Sequence, residues 1–132
     1  MSTKAYSTAS NVGAGLALAF AALGTSVGIS AFFADPLKSA ATFGINIEST
    51  ASASLPLVRA YSSRNIGSGV GILALLALGK RKSVGILLAT GTLVMALDGW
   101  LVAQASGRYT AEALGHLSFI PVAILTSWLL SK

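Results

Sequence analysis

Ser83-Val-Gly-Ile-Leu-Leu-Ala-Thr-Gly-Thr-Leu-Val-Met-Ala-Leu-Asp98-Gly-Trp-Leu-Val-Ala-Gln-Ala105 is an apolar run with one acid inside it. Its length suits one helical crossing of a hydrocarbon layer about 30 Å thick. An aspartate at the centre of such a helix costs about 2.5–3.5 kcal/mol on insertion scales. A residue that carries this cost is usually paired or faces a cavity, and it marks a functional site by default.

Three further apolar runs surround it: Val12–Phe33, Ser62–Gly79 and Glu112–Leu130. Each is about 18 to 23 residues long, enough to span a bilayer as a helix that satisfies its own backbone. The expectation is an all-α, four-helix transmembrane bundle forming one domain over residues 1–132. Composition agrees. The chain is 54% hydrophobic and 10% charged, against about 25% charged residues in a soluble domain. Met1–Asn11 is polar, but the apolar run after it is longer than a signal-peptide core, so it reads as a retained span. The net charge of +5 does not point to nucleic acid, because the basic residues are scattered or sit at the ends of apolar runs. With no cysteine, disulfides and thiolate metal sites are excluded.

Lys80-Arg81-Lys82 reads as a short basic turn between the second and third spans. Short loops rich in Lys and Arg stay cytoplasmic. Four spans then make both termini cytoplasmic, with Lys4 and Lys132 in agreement, and in a eukaryote the endoplasmic reticulum is the expected membrane. The other side carries Lys38, Arg59 and Arg108, together with Asp35, Glu48 and Glu112. The connection over 34–61 is the longest. It opens on Asp35-Pro36, a helix terminator, and its apolar Leu55-Pro56-Leu57-Val58 suggests a segment on the outer surface or capping the bundle. Gly24 and Gly28, Gly67 and Gly71, Ala17 and Ala21, and Gly99 and Ala103 place small residues four apart. In lipid this favours close helix packing, within the bundle or in a homo-oligomer.

Depth brings the polar residues together. Asp98 lies seven residues from the outer end of its span, about 10 Å down, and His116 about 6 Å down, at 1.5 Å per residue. Arg64 and Asn65 open the second span beneath the same surface. Glu48, Arg59 and Tyr61 are on that side too. The cytoplasmic halves of the spans carry ionisable groups only at their ends. A cavity in the outer half follows, with Asp98, His116 and Arg64 as catalytic candidates and Asn65, Tyr61, Glu48, Trp100 and Phe43 as substrate contacts. Bland readings stand beside these. Asp98 and Arg64 can be a pair that sets helix register, His116 a headgroup-level residue, Asn65 a helix cap and Trp100 an interface anchor. Gly67-Ser-Gly69-Val-Gly71 lies inside a span and is no dinucleotide fingerprint. One histidine and scattered acids make no metal site.

Pro36 followed by Phe43-Gly44-Ile45, the Arg64-Asn65-Ile66-Gly67 opening, Asp98 and His116 resemble the DoxX-like group of small membrane proteins. Within it the likeness is nearest to a fungal four-span family of largely unknown function, and it covers Gly15 to Leu130. The resemblance implies a typical Arg-Asp/Asn pair on the second span, here Arg64-Asn65, where Asn65 in place of an acid removes one proton carrier. It also implies either quinone-linked redox chemistry or an isomerase or cyclase of natural-product biosynthesis.

The expected function is a membrane enzyme that isomerises or cyclises a lipophilic small molecule by proton transfer, with no cofactor required. The alternatives are a non-catalytic membrane subunit, or a quinone-linked redox subunit, of a larger complex.

Overall fold

The computed structural model describes residues 6–42, 47–49 and 53–132, and these form an all-α protein. Helix α1 spans Thr8–Ile29, with the Ser7 hydroxyl accepting from the Ser10 amide to cap it. It runs on through a wider π-helical turn, Ser30–Ala34. Asp35-Pro36 then both ends this rod and starts a new helix. The Asp35 carboxylate accepts from the Lys38 amide at 3.0 Å, and Pro36 occupies the first turn of α2, Pro36–Ala41.

Helix α3, Leu55–Ala77, begins seven residues before the expected Ser62. Pro56 suits a first helical turn, so the apolar Leu55–Val58 stretch is helix and not surface loop, with Leu55 and Val58 buried. The turn to α4 is Leu78-Gly79-Lys80, with Gly79 at φ 68°. Arg81 and Lys82 already belong to α4, Arg81–Ser106. Gly107, at φ 67°, ends α4 in the left-handed conformation glycine adopts freely. Helix α5 spans Ala111–Leu130. It is capped by the Thr110 hydroxyl and runs unbroken through Pro121, which deprives the Leu117 carbonyl of its helical donor.

Three segments are long and apolar enough to cross a membrane: Thr8–Ala34, Arg81–Ser106 and Ala111–Leu130. The protein is a multi-pass membrane protein. Helix α3 has the length, at 23 residues, but Arg59, Arg64 and Asn65 lower its hydropathy.

The distribution of side-chain size fits lipid rather than water outside. Many buried positions are small, including Ala17, Ala21, Ala113 and Ala123, while Leu18, Ile86, Leu93, Leu101 and Ile124 face outward. Lipid gives helices little hydrophobic reason to associate, so small residues let backbones approach.

Helix α1 packs along α3 and α5, and α4 packs along α5. Helices α3 and α4, although joined by a short turn, touch far less. A Cβ on Gly28 would meet Ile66 Cγ1 and the Ser62 carbonyl at 2.8 Å; one on Gly69 would strike Thr25 Oγ1 and the Ala21 carbonyl. Gly99 sits equally close on Leu117 and Gly13 on Leu129. Gly67 and Gly71 have nothing within 4 Å, so on α3 the glycine that packs inside the chain is Gly69.

One end of the bundle gathers the start of α1, the α3–α4 turn and the end of α5. Arg81 donates to Asn11 Oδ1 at 2.7 Å and to Ser10 Oγ at 3.2 Å, and lies 3.7 Å over the Tyr6 ring. The Tyr6 hydroxyl donates to the Gly79 carbonyl at 2.8 Å. The main core cluster of Ala17, Ala21, Ile72, Val84, Leu88 and Leu130 lies towards this basic end.

Gly69→Leu should lower the thermal stability of the detergent-solubilised protein by about 1–3 kcal/mol through overpacking, with Gly67→Leu close to neutral. Equal losses in the two variants would mean that α3 packs on a different face.

Candidate functional site

Where α3 and α4 fail to close on each other, a cavity of about 520 Å³ opens among all four long helices. Helical periodicity builds its walls. From Asp98, steps of three and four back along α4 reach Met95, Val94, Gly91, Leu88 and Leu87, all on the cavity. On α3, Tyr61, Arg64, Asn65, Ser68 and Ile72 make the facing stripe. Helix α1 contributes Leu23 and Val27, and α5 contributes His116 and Phe119. Phe119 meets Phe20 of α1 edge to face, with centroids 6.0 Å apart. Ile72 and Leu88 belong also to the core cluster, so the floor of the cavity is the top of the core.

The polar groups share the far end. Arg64 Nη2 donates to Asp98 Oδ2 at 3.3 Å, a side-chain hydrogen bond from α3 to α4. The arginine is 49% exposed and the aspartate 18%. The guanidinium also lies 4.8 Å over the Tyr61 ring. Tyr61 and Asn65, one turn apart on α3, reach each other with their side chains, and the Asp98 charge acts on the Tyr61 hydroxyl. The half-buried His116 imidazole is likewise within electrostatic reach of Asp98.

The structure therefore brings together five expected site residues: Asp98, Arg64, His116, Asn65 and Tyr61. Trp100 and Glu48 are elsewhere. Trp100 is two residues beyond Asp98, about 200° around the helix, and faces away from the cavity. It lines a shallow groove of about 460 Å³ with Gln104, Arg108 and Tyr109. Glu48 is exposed in an irregular segment and is not part of the cavity wall. Phe43 lies outside the described residues, as do Gly44 and Ile45. Sequence reasoning missed Ser68, Thr90, Gly91, Val94 and Met95, although counting turns from Asp98 and Arg64 points to them. The Thr90 hydroxyl donates to its own helix, at the Ile86 and Leu87 carbonyls, and so adds little polarity.

The arrangement supplies a carboxylate, an imidazole, a phenol, an amide and a guanidinium at one end of a largely apolar space. No group of three or more metal-binding side chains occurs among the described residues.

The chain belongs to a family described as a domain of unknown function, DUF4267, whose model matches residues 13–130. No curated protein and no solved structure matches it.

A double-mutant cycle on Arg64→Gln and Asp98→Asn, followed by thermal unfolding in detergent, should give a coupling of about 0.5–3 kcal/mol. Strictly additive losses would show that the two side chains do not meet.

Proposed function

We propose that this DUF4267 protein is a small membrane enzyme, built as a four-helix transmembrane bundle, that isomerises or cyclises a lipophilic molecule by moving a proton. The observation that carries this reading is the convergence of Asp98, Arg64, His116 and Tyr61 on one apolar cavity. A structural ion pair needs neither an adjoining cavity nor an imidazole within reach.

The chemistry follows from the groups. Arg64 and Asp98 form an ion pair at the polar end of the cavity. The Asp98 carboxylate removes a proton from a carbon next to a substrate carbonyl, and that C–H electron pair moves into an enolate. Arg64, through N–H groups not engaged by Asp98, and Tyr61 donate to the developing oxyanion. The same proton returns from the Asp98 carboxyl to a different carbon, or His116 delivers one and the proton on Asp98 then passes to His116, restoring both groups. The substrate ends as an isomer. Redox state and atom count are unchanged, and no second reactant enters. A dry cavity strengthens each of these electrostatic terms.

On this reading the Lys80–Lys82 end and both termini face the cytoplasm, which the lysines and arginines there support, and the cavity opens in the opposite leaflet. In a eukaryotic cell the endoplasmic reticulum is the matching membrane. The likeness of Arg64-Asn65, Asp98 and His116 to DoxX-like proteins belongs to this reading and is compatible with natural-product biosynthesis. A second reading, a membrane subunit or homo-oligomer, draws on Gly67 and Gly71, whose face of α3 is open. On that reading Gly67→Leu disrupts assembly and Asp98→Asn is harmless.

Asp98→Asn should lower turnover of an isomerisable substrate by about 10²–10⁴-fold, with the thermal transition retained. Incorporation of solvent deuterium into the product tracks the same step. Undiminished turnover in the folded variant would end the proposal.

A further inference from the structure

The shape of the cavity carries the reading further, to the class of molecule it holds. On α4 it runs from Asp98 to Leu87 and on α3 from Tyr61 to Ile72. Each stretch is eleven helical steps, and the two helices give the same length, about 16 Å. The volume is about 520 Å³, so the mean cross-section is roughly 30 Å² over that length. This is room for one hydrocarbon chain.

Polarity is graded along the same axis. Tyr61, Arg64, Asn65, Asp98 and His116 are at one end, and Ile72, Leu87 and Leu88 at the other. Donors predominate at the polar end. Arg64 has five N–H groups, of which one bonds Asp98 at 3.3 Å, and its guanidinium also contacts Tyr61, so N–H groups remain for a ligand. The complementary head is rich in acceptors, as a carbonyl or carboxylate is. The gap between α3 and α4 gives a chain dissolved in the bilayer a lateral way in.

We infer that the cavity binds a single-tailed amphiphile with a carbonyl or carboxylate head at Arg64–Asp98 and its tail running down to Leu87 and Ile72. This rests on the cavity being the functional site, as the proposed function holds, and names the substrate class of that site.

Gly91 supplies a ruler. It lines the cavity about 10 Å from Asp98, seven residues along the helix, and an added Cβ there meets nothing within 4 Å. A side chain at position 91 therefore has room to start into the cavity, and Gly91→Phe narrows its middle.

The test is photolabelling of the full chain in phosphatidylcholine nanodiscs with dodecanoate carrying a diazirine on its terminal carbon. Labels are expected on Ile72 and on Leu87 or Leu88, with competition by unlabelled dodecanoate. Competition by dodecyltrimethylammonium should be at least about tenfold weaker, since a charged hydrogen bond to Arg64 is lost. In Gly91→Phe, dodecanoate should compete about tenfold less well, through lost burial of tail methylenes, while octanoate is unaffected. Labels confined to the lipid-facing Ile86 and Leu93, or equal competition by the cationic amphiphile, would overturn the inference. The unsubstituted protein alone decides these two points, whether or not the variant folds. The readout is binding and not turnover. Labelling as described without isomerase activity would count against the enzyme alone, and turnover of a tailless compound without labelling against the single-tailed ligand alone.

Discussion

An ionised carboxylate surrounded by hydrocarbon needs a counter-charge within reach, and in this fold Asp98 finds it on a helix that otherwise barely touches its own. Helices α3 and α4 are tied by the Leu78–Lys80 turn at one end and by Arg64–Asp98 towards the other. Between those two ties the helices stand apart. Electrostatics does here what side-chain packing does elsewhere in the bundle. The pair is thus a structural tie that also lines the cavity: it spans the gap, and the gap is the cavity.

Glycine explains why the gap lies where it does. Gly28 and Gly69 bring α1 against α3, Gly13 and Gly85 bring α1 and α4 against the end of α5, and Gly99 brings α4 against its beginning. Each position leaves no space for a Cβ without a shift. No such glycine contact joins α3 to α4. Gly91, which faces that seam, has empty space in front of it. The same residue type closes three seams and widens the fourth. In lipid this difference is decisive, because van der Waals fit is a main force that draws helices together.

Much of this was legible in the sequence. Apolar length gave the four long helices, and counting depth from the basic turn put Asp98, Arg64 and His116 at one level, where the structure has them. The errors have physical causes. Pro56 invited a loop reading, yet in a first turn its missing N–H is no loss. Asp35-Pro36 read as a stop signal and is also a start, because an aspartate cap and a first-turn proline favour initiation equally. Trp100 drew attention by proximity in sequence to Asp98, although two residues along a helix point nearly opposite ways. Gly67 and Gly71 matched a motif whose spacing says which face is small, but not what lies against it. The apolar wall from Leu87 to Met95 was invisible as a site because its residues are ordinary for a membrane helix. Only their common face with Asp98 distinguishes them.

Two arginines differ in how fully the fold uses their donors. Arg81 makes two side-chain hydrogen bonds, one as short as 2.7 Å, and is stacked on Tyr6 at 3.7 Å. These contacts tie the start of α1 to the α3–α4 turn and leave the guanidinium little left to offer. Arg64 makes one longer bond, keeps a loose contact with Tyr61 and stays half exposed. A guanidinium used only for register would be expected to engage its carboxylate with both forks, since the bidentate geometry is stronger and more directional. The single-pronged pair leaves donors facing the cavity without stripping Asp98 of its counter-charge. An acceptor head can therefore enter the cavity and bond to Arg64 while the ion pair that spans the gap stays formed.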